Sequence, residues 1–146
     1  MARLSLVPED RSDHAWEVEV NLGMAHVSVA QAVATALAID LDFDLEAVDD
    51  VRIATNEVCT ELASHARPQA ILHLVFDARD DALEVSAQLE SDDDRRAVDD
   101  DADPDVVRAL MDTVTRTAEE TAVAGIHILR TWFRKARNLR RDEADS

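Results

Sequence analysis

The chain has 146 residues, 47% of them apolar, which is enough for one domain with a single buried core. Its 32 acidic and 15 basic residues give a formal net charge of −17, which argues against direct binding to nucleic acid or anionic lipid. The sequence contains no apolar run long enough to span a membrane and no charged segment followed by an apolar one at its start, so we expect neither a membrane span nor a secretory signal. We therefore predict a cytoplasmic location.

The first predicted elements are a strand and a helix. Residues 1–12 contain Pro8 and several polar residues, which predict a flexible N-terminal lead-in. Apolar and polar residues alternate over residues 16–22, which predicts a half-buried strand ended by Gly23. Apolar residues then recur at helical spacing, which predicts a helix over residues 26–38.

A long helix over residues 45–64 is the most informative predicted element. Glu57 and Glu61 lie one turn apart on it, beside an apolar stripe. Cys59 is the chain's single cysteine and falls near that stripe, which predicts a buried, inert thiol. Pro68 excludes any extension of the helix. The stripe consists of Val48, Val51, Ala54, Val58 and Leu62.

The remaining elements are mostly strands. Residues 70–76 and 82–88 predict a hairpin, because a short polar connection separates two alternating runs. Residues 90–103 predict an acidic loop. Two interpretations of this loop stay open: it is solvated, or it contacts a basic protein. Further along, we expect a short helix at 105–112, a β-prone stretch at 113–117, a last strand at 123–133 and a charged tail at 134–146.

The long helix resembles the N-box helix of the GHKL ATPases, specifically of the anti-sigma factor serine kinases of the RsbW type. That helix follows the pattern D-x-x-x-A-x-x-E-x-x-x-N-x-x-x-H-A. Two local matches add to the resemblance: residues 107–112 are similar to the family's I-R-A-L-M-D helix, and Gly125 is similar to the glycine that opens its closing strand. The positions that match the N-box pattern are Asp50, Ala54, Glu57, His65 and Ala66.

The resemblance implies an α+β fold, a two-layer sandwich in which helices cover one face of a mixed, mostly antiparallel sheet. This domain would span residues 13–133, between the lead-in at 1–12 and the charged tail at 134–146. The family's site binds Mg-ATP, and the glutamate that matches Glu57 is its candidate general base.

The chain departs from the family where nucleotide is bound. Glu61 replaces the asparagine that holds magnesium, Leu89 falls at the adenine-binding aspartate, and Ser91 falls at the first glycine of that box. Residues 90–105 also contain nine acidic residues against Arg95 and Arg96, which would repel a nucleotide. We therefore expect a degenerate nucleotide pocket without cofactor or metal, formed by Glu57 as a relic of the general base and by Glu61, His65, Leu89 and Ser91.

The function that the resemblance implies is that of an anti-sigma factor in a partner-switching system. It would form a homodimer, sequester an alternative sigma factor and be released by a competing anti-anti-sigma factor of the STAS type. The departures favour regulation by binding alone, without working kinase chemistry. The alternatives are an active serine-protein kinase that uses Mg-ATP to phosphorylate its anti-anti-sigma partner, and a scaffold domain that binds neither nucleotide nor sigma factor.

Overall fold

The computed structural model describes residues 2–6, 15–21, 27–92 and 105–137, with the backbone alone for residues 2–6. The centre of the predicted acidic loop, residues 93–104, and the end of the predicted tail, residues 138–146, lie outside this part of the chain, as does Gly23. The described elements are β1 (Ala2–Leu6), β2 (Ala15–Asn21), α1 (Val27–Asp40), α2 (Leu45–Ala63), β3 (Ile71–Arg79), β4 (Ala82–Ser91), α3 (Val106–Leu110), β5 (Thr113–Glu120) and β6 (His127–Ala136).

The described strands form one six-stranded sheet in the order β1-β2-β3-β4-β6-β5. Every neighbouring pair is antiparallel, so the predicted α+β fold with a mostly antiparallel sheet is confirmed. The parallel pair that a mixed sheet would contain is absent from these strands. The predicted hairpin is confirmed as β3 and β4, joined by Asp80 and Asp81, and Asp80 takes a φ of 52°.

The helices cover one face of the sheet. In β2 to β6, side chains alternate between the two faces, and those on the covered face pack with α1 and α2 in one core. Burying each large apolar side chain there contributes about 1.5–3 kcal/mol to folding. One cross-strand row on the covered face contains Val18, Leu74, Ala87, Thr131 and Arg116.

The long helix α2 forms where the sequence predicts it. Asp44 is its N-cap, and its carboxylate accepts a hydrogen bond of 2.8 Å from the backbone N–H of Ala47. The predicted stripe is buried, from Val48 to Leu62. The helix ends at Ala63, and the N–H of Ser64 still donates to the carbonyl of Thr60. None of the three described helices has the length and hydropathy to cross a lipid bilayer.

Several boundaries differ from the predictions. The strands β3, β4 and β5 each run three residues past their predicted ends, to Arg79, Ser91 and Glu120, so that β4 includes the start of the predicted acidic loop. The strand β1 lies inside the predicted lead-in and pairs with β2 along the sheet edge, from Ala2 opposite Val20 to Leu6 opposite Trp16. The predicted last strand begins at 123, but residues 121–126 form a turn with Gly125 at φ +82°, so β6 begins at His127. It then runs to Ala136, three residues past the predicted limit of the domain, because it pairs with β4 along its whole length.

Candidate functional site

The candidate site lies at the C-terminal part of α2, where the helix passes the covered face of β5. Its two predicted carboxylates have different surroundings there. Glu57 is exposed, whereas Glu61, one turn further along, is half-buried. This difference follows from the helical period, because Glu61 lies closer to the buried side that Val58 and Leu62 define.

Glu61 is bound by an arginine from the sheet. Nε of Arg116 donates to Oε1 of Glu61 at 3.0 Å, and Nη2 donates to Oε2 at 3.4 Å. The pair is thus a two-point contact between a fork of N–H donors and a carboxylate, the geometry in which arginine binds carboxylates most specifically. The side chain of Arg116 is 6% exposed, so the contact is largely shielded from water.

The same guanidinium binds a second carboxylate. Nη1 of Arg116 donates to Oδ2 of Asp105 at 3.0 Å, and Nη2 donates to Oδ1 at 3.2 Å. Asp105 is also the N-cap of α3, where it accepts a hydrogen bond from the backbone N–H of Arg108. We call Glu61, Arg116 and Asp105 the ion triad, and it joins α2, β5 and the start of α3.

The ion triad shifts two pKa values away from their ordinary range. Burial alone would raise the pKa of Asp105, but hydrogen bonds and charge from Arg116 and Arg108 outweigh it, so the pKa is lowered. Burial would lower the pKa of Arg116, but its hydrogen bonds to Asp105 and Glu61 outweigh it and raise the value. Both groups are therefore held in their charged forms at neutral pH.

The two residues at the predicted adenine end of the pocket, Leu89 and Ser91, are both buried. Leu89 lies in the hydrophobic core, so the position that would offer an acceptor to adenine presents a buried alkyl group. Ser91 is fully buried, and its hydroxyl donates to the backbone carbonyl of His65. The structure thus brings His65 and Ser91 into contact. Ser91 is shielded from solvent, whereas His65 is half-buried.

The predicted site residues therefore fall into separate groups. Glu61 belongs to the ion triad, His65 and Ser91 form a contact at the end of α2, Leu89 is core, and Glu57 faces solvent. Among the described residues, no three His, Cys, Asp or Glu side chains come together as a metal ion would require. The degenerate pocket without cofactor stays a prediction.

The sequence analysis missed Arg116, the residue at the centre of the site. A signal for it exists in the alternation of β5. Val114 and Ala118 are the apolar positions of that strand, and Arg116 stands between them, so period-2 alternation places a charged side chain on the covered face. A charge at such a position requires a partner of opposite sign.

Comparison with known proteins finds similarity to an anti-sigma factor over part of the chain. No protein-family model matches the chain. The anti-sigma-F factor RsbW of Mycobacterium tuberculosis is 47% identical to it over 47 residues, in both strain CDC 1551 / Oshkosh and strain H37Rv. The match covers 32% of this chain and 28% of the length of each relative. Over this segment the chain is similar to the anti-sigma-F factor RsbW, and the match spans less than a third of that relative's length.

Proposed function

We propose that the chain is an anti-sigma factor that sequesters an alternative sigma factor by binding alone. The observation that carries this proposal is the 47% identity to a protein named anti-sigma-F factor. The match covers only part of both chains, so the proposal extends from that segment to the whole molecule. The net charge of −17 is consistent with a basic partner, because charge complementarity speeds association and disfavours acidic competitors.

The ion triad supports an anti-sigma factor without kinase chemistry. In the family that the chain resembles, the residue at Glu61 is an asparagine that holds magnesium. In this chain Glu61 is engaged by Arg116, a cation that is part of the protein. A divalent ion at Glu61 would have to displace a shielded guanidinium that also binds Asp105, and would then lie beside that positive charge.

Release and assembly complete the proposal. Competition by an anti-anti-sigma factor of the STAS type frees the sigma factor, and the anti-sigma factor itself acts as a homodimer. Both follow from the resemblance. A tagged, purified chain measured by light scattering should have twice the mass of its 146 residues. The mass of a single chain would contradict the homodimer without affecting the rest of the proposal.

An affinity pull-down tests the function. The tagged chain is used as bait in its native lysate, with and without Mg-ATP, and retained proteins are identified by mass spectrometry. We expect one sigma factor to be retained equally in both samples. Retention that depends on Mg-ATP, with transfer of labelled phosphate to an antagonist, would instead identify an active serine kinase. Absence of any sigma factor in both samples would favour a scaffold domain.

A further inference from the structure

The side of the sheet opposite the helices forms a continuous surface, which we call the open face. All three described helices pack on the other side, so the open face carries the residues of β2 to β6 that alternate with the core. Strand pairing arranges these residues in rows across the sheet. The three central rows are Glu19, His73, Gln88, Arg130 and Thr117; Glu17, Val75, Ser86, Trp132 and Thr115; and Ala15, Asp77, Glu84, Arg134 and Thr113.

A tryptophan lies in the middle row of the open face. Trp132 is half-buried, between Ser86 on one neighbouring strand and Thr115 on the other. Arg130 and Arg134 flank it along β6, because residues two positions apart share a face. Tryptophan and arginine are enriched among the residues that dominate the energy of protein–protein contacts. This part of the open face therefore has the composition of a binding surface.

The charges of the open face are divided between two strands. On β2 they are the carboxylates of Glu17 and Glu19, and on β6 they are the guanidinium groups of Arg130 and Arg134. The strands β3 and β4 lie between them, so the two sets of charges are about 14 Å apart. A uniformly basic partner would be repelled by β6, and a uniformly acidic one by β2. The surface that complements both strands at once carries the same division of charge.

The positive charge of Arg130 is not neutralised within the chain. Nε and Nη2 of Arg130 both donate to Oε1 of Gln88, at 2.9 Å and 2.6 Å. An amide oxygen carries no formal charge, so these bonds orient the guanidinium and leave its full charge to attract a carboxylate. Arg130 is exposed, whereas Glu19, in the same row, is half-buried.

A second copy of the chain carries the required division of charge. In a symmetric dimer, both copies use the same surface. A two-fold axis parallel to the strands, between β3 and β4, places β2 of each copy over β6 of the other and keeps each row over its own image. An axis across the strands would instead place β2 over β2, with carboxylates facing carboxylates. The charges therefore select the axis that is parallel to the strands.

We propose that two copies of the chain pack open face to open face about this axis. The proposal rests on the homodimer of the proposed function and adds the surface that forms it. Arg130 of each copy faces Glu19 of the other, so the contact occurs twice, and Trp132 is covered by β2 of the other copy. Near the axis, His73 of one copy faces Gln88 of the other, beside an open depression of about 260 Å³ that leaves room for these side chains.

The third row places Asp77 of one copy opposite Glu84 of the other. Each of these carboxylates keeps a cation of its own chain. Nε of Arg79 is 3.0 Å from Oδ2 of Asp77, and Nε of Arg134 is 3.8 Å from Oε2 of Glu84. The two ion pairs reduce the repulsion between the carboxylates, so this row is compatible with the dimer.

The open face is large enough for a specific dimer. Six strands about 4.8 Å apart, with about seven paired residues each, span about 29 Å by 23 Å. Packing two such sheets in the aligned manner covers about 650 Å² on each copy, or about 1,300 Å² in total. A specific interface needs about 1,000 Å².

Two charge reversals test the arrangement. Arg130→Glu gives a dimer in which carboxylates face each other at both contacts, and Glu19→Arg gives one in which guanidinium groups do. Mixed in equal amounts, the two variants can form a heterodimer in which both contacts join opposite charges. Arg52→Glu and Glu46→Arg are the matched controls, because they make the same changes of charge at exposed positions of α2, in the other layer.

Analytical ultracentrifugation measures the dissociation constant of each dimer, and native mass spectrometry identifies the heterodimer. Each reversal alone should weaken the dimer at least about 10-fold, because like charges then face each other twice. The mixture should return to within about 3-fold of the unaltered chain, as should the double variant that carries both reversals. The controls should stay within about 3-fold, alone and mixed. Circular dichroism and a thermal melt verify that every variant folds.

The outcomes separate the interface from the proposed function. A dimer that neither reversal weakens, or weakened variants that do not recover on mixing, would overturn the packing about this axis. An unaltered chain with the mass of a single copy would overturn the homodimer and its interface together. Binding of a sigma factor is tested separately by the pull-down, so failure of the interface leaves the anti-sigma function standing. Absence of a sigma factor would remove that function and leave the interface to be decided by ultracentrifugation.

Discussion

Arg116 and Glu61 are 55 positions apart in the sequence and are joined by two hydrogen bonds between a guanidinium and a carboxylate. Each comes from a different layer, Arg116 from the sheet and Glu61 from the long helix. Because Asp105 binds the other side of the same guanidinium, the pair is part of a three-residue contact that ties the end of α2 to β5 and α3.

Replacing Arg116→Ala should lower the free energy of unfolding by about 2–4 kcal/mol, because it leaves two partly buried carboxylates without their partner. Chemical denaturation followed by circular dichroism measures the change. In a double-mutant cycle with Glu61→Gln, we expect a coupling energy of about 1–2 kcal/mol. Arg52→Ala is the control, since its ion pair with Asp49 is exposed and should contribute under about 0.5 kcal/mol. Additive effects of Arg116→Ala and Glu61→Gln would contradict the coupling.

The stability contributed by Asp105 should disappear in acid. The pKa of Asp105 is lower in the folded chain than in the unfolded chain, where an aspartate titrates at about 3.9. The contribution is therefore complete above about pH 5 and falls as the pH drops through the folded-state pKa. Denaturation of the unaltered chain and of Asp105→Asn between pH 7 and pH 3 should show a stability difference of about 1 kcal/mol that shrinks below about pH 4.

Asp80→Asn is the control for that experiment. Asp80 is exposed in the hairpin turn, and asparagine tolerates its positive φ as well as aspartate does. We expect this variant to follow the unaltered chain at every pH. A stability difference for Asp105→Asn that grows as the pH falls would show that the folded-state pKa is raised rather than lowered.

Glu61→Asn should not restore binding of Mg-ATP. The substitution recreates the magnesium ligand that the resemblance implies. Leu89, which the resemblance places at the adenine acceptor, stays buried in the core, and Arg116 still lies beside residue 61. Isothermal titration calorimetry with Mg-ATP should therefore show no micromolar affinity in this variant, as in the unaltered chain. A micromolar dissociation constant in the variant would mean that the other departures from the family are tolerated.

Cys59 should be inert in the folded protein. Burial raises the pKa of its thiol to about 12, so almost none of the reactive thiolate exists at pH 8. Alkylation by iodoacetamide should be at least about 1,000-fold slower in the native chain than in urea, measured by the mass of the intact protein. Comparable rates in the two conditions would contradict the buried position of the thiol.

Most of the described fold could be predicted from local patterns. Three elements show a clear local pattern: the alternation of β2, the hairpin of β3 and β4, and the apolar stripe of α2. Their apolar residues recur at the period of a strand or of a helix, and this period was enough to predict the type of each element. The edge strand β1 was not predicted, although Ala2, Leu4 and Leu6 alternate with Arg3 and Ser5 as in a half-buried strand. A run of five residues is a short signal, and Pro8 with the polar residues after it favoured a lead-in instead.

In the candidate site, too, some features follow from the local sequence and others only from the tertiary structure. The sequence by itself determined which chemical groups are present: the carboxylates on α2, the leucine and serine on β4, and the resemblance to the N-box helix. Only the tertiary structure decided what they contact. Arg116 reaches Glu61 because antiparallel pairing places β5 beside β6 at the sheet edge, which turns Arg116 toward α2. Contacts between residues so distant in sequence depend on strand order and register, which no local pattern contains.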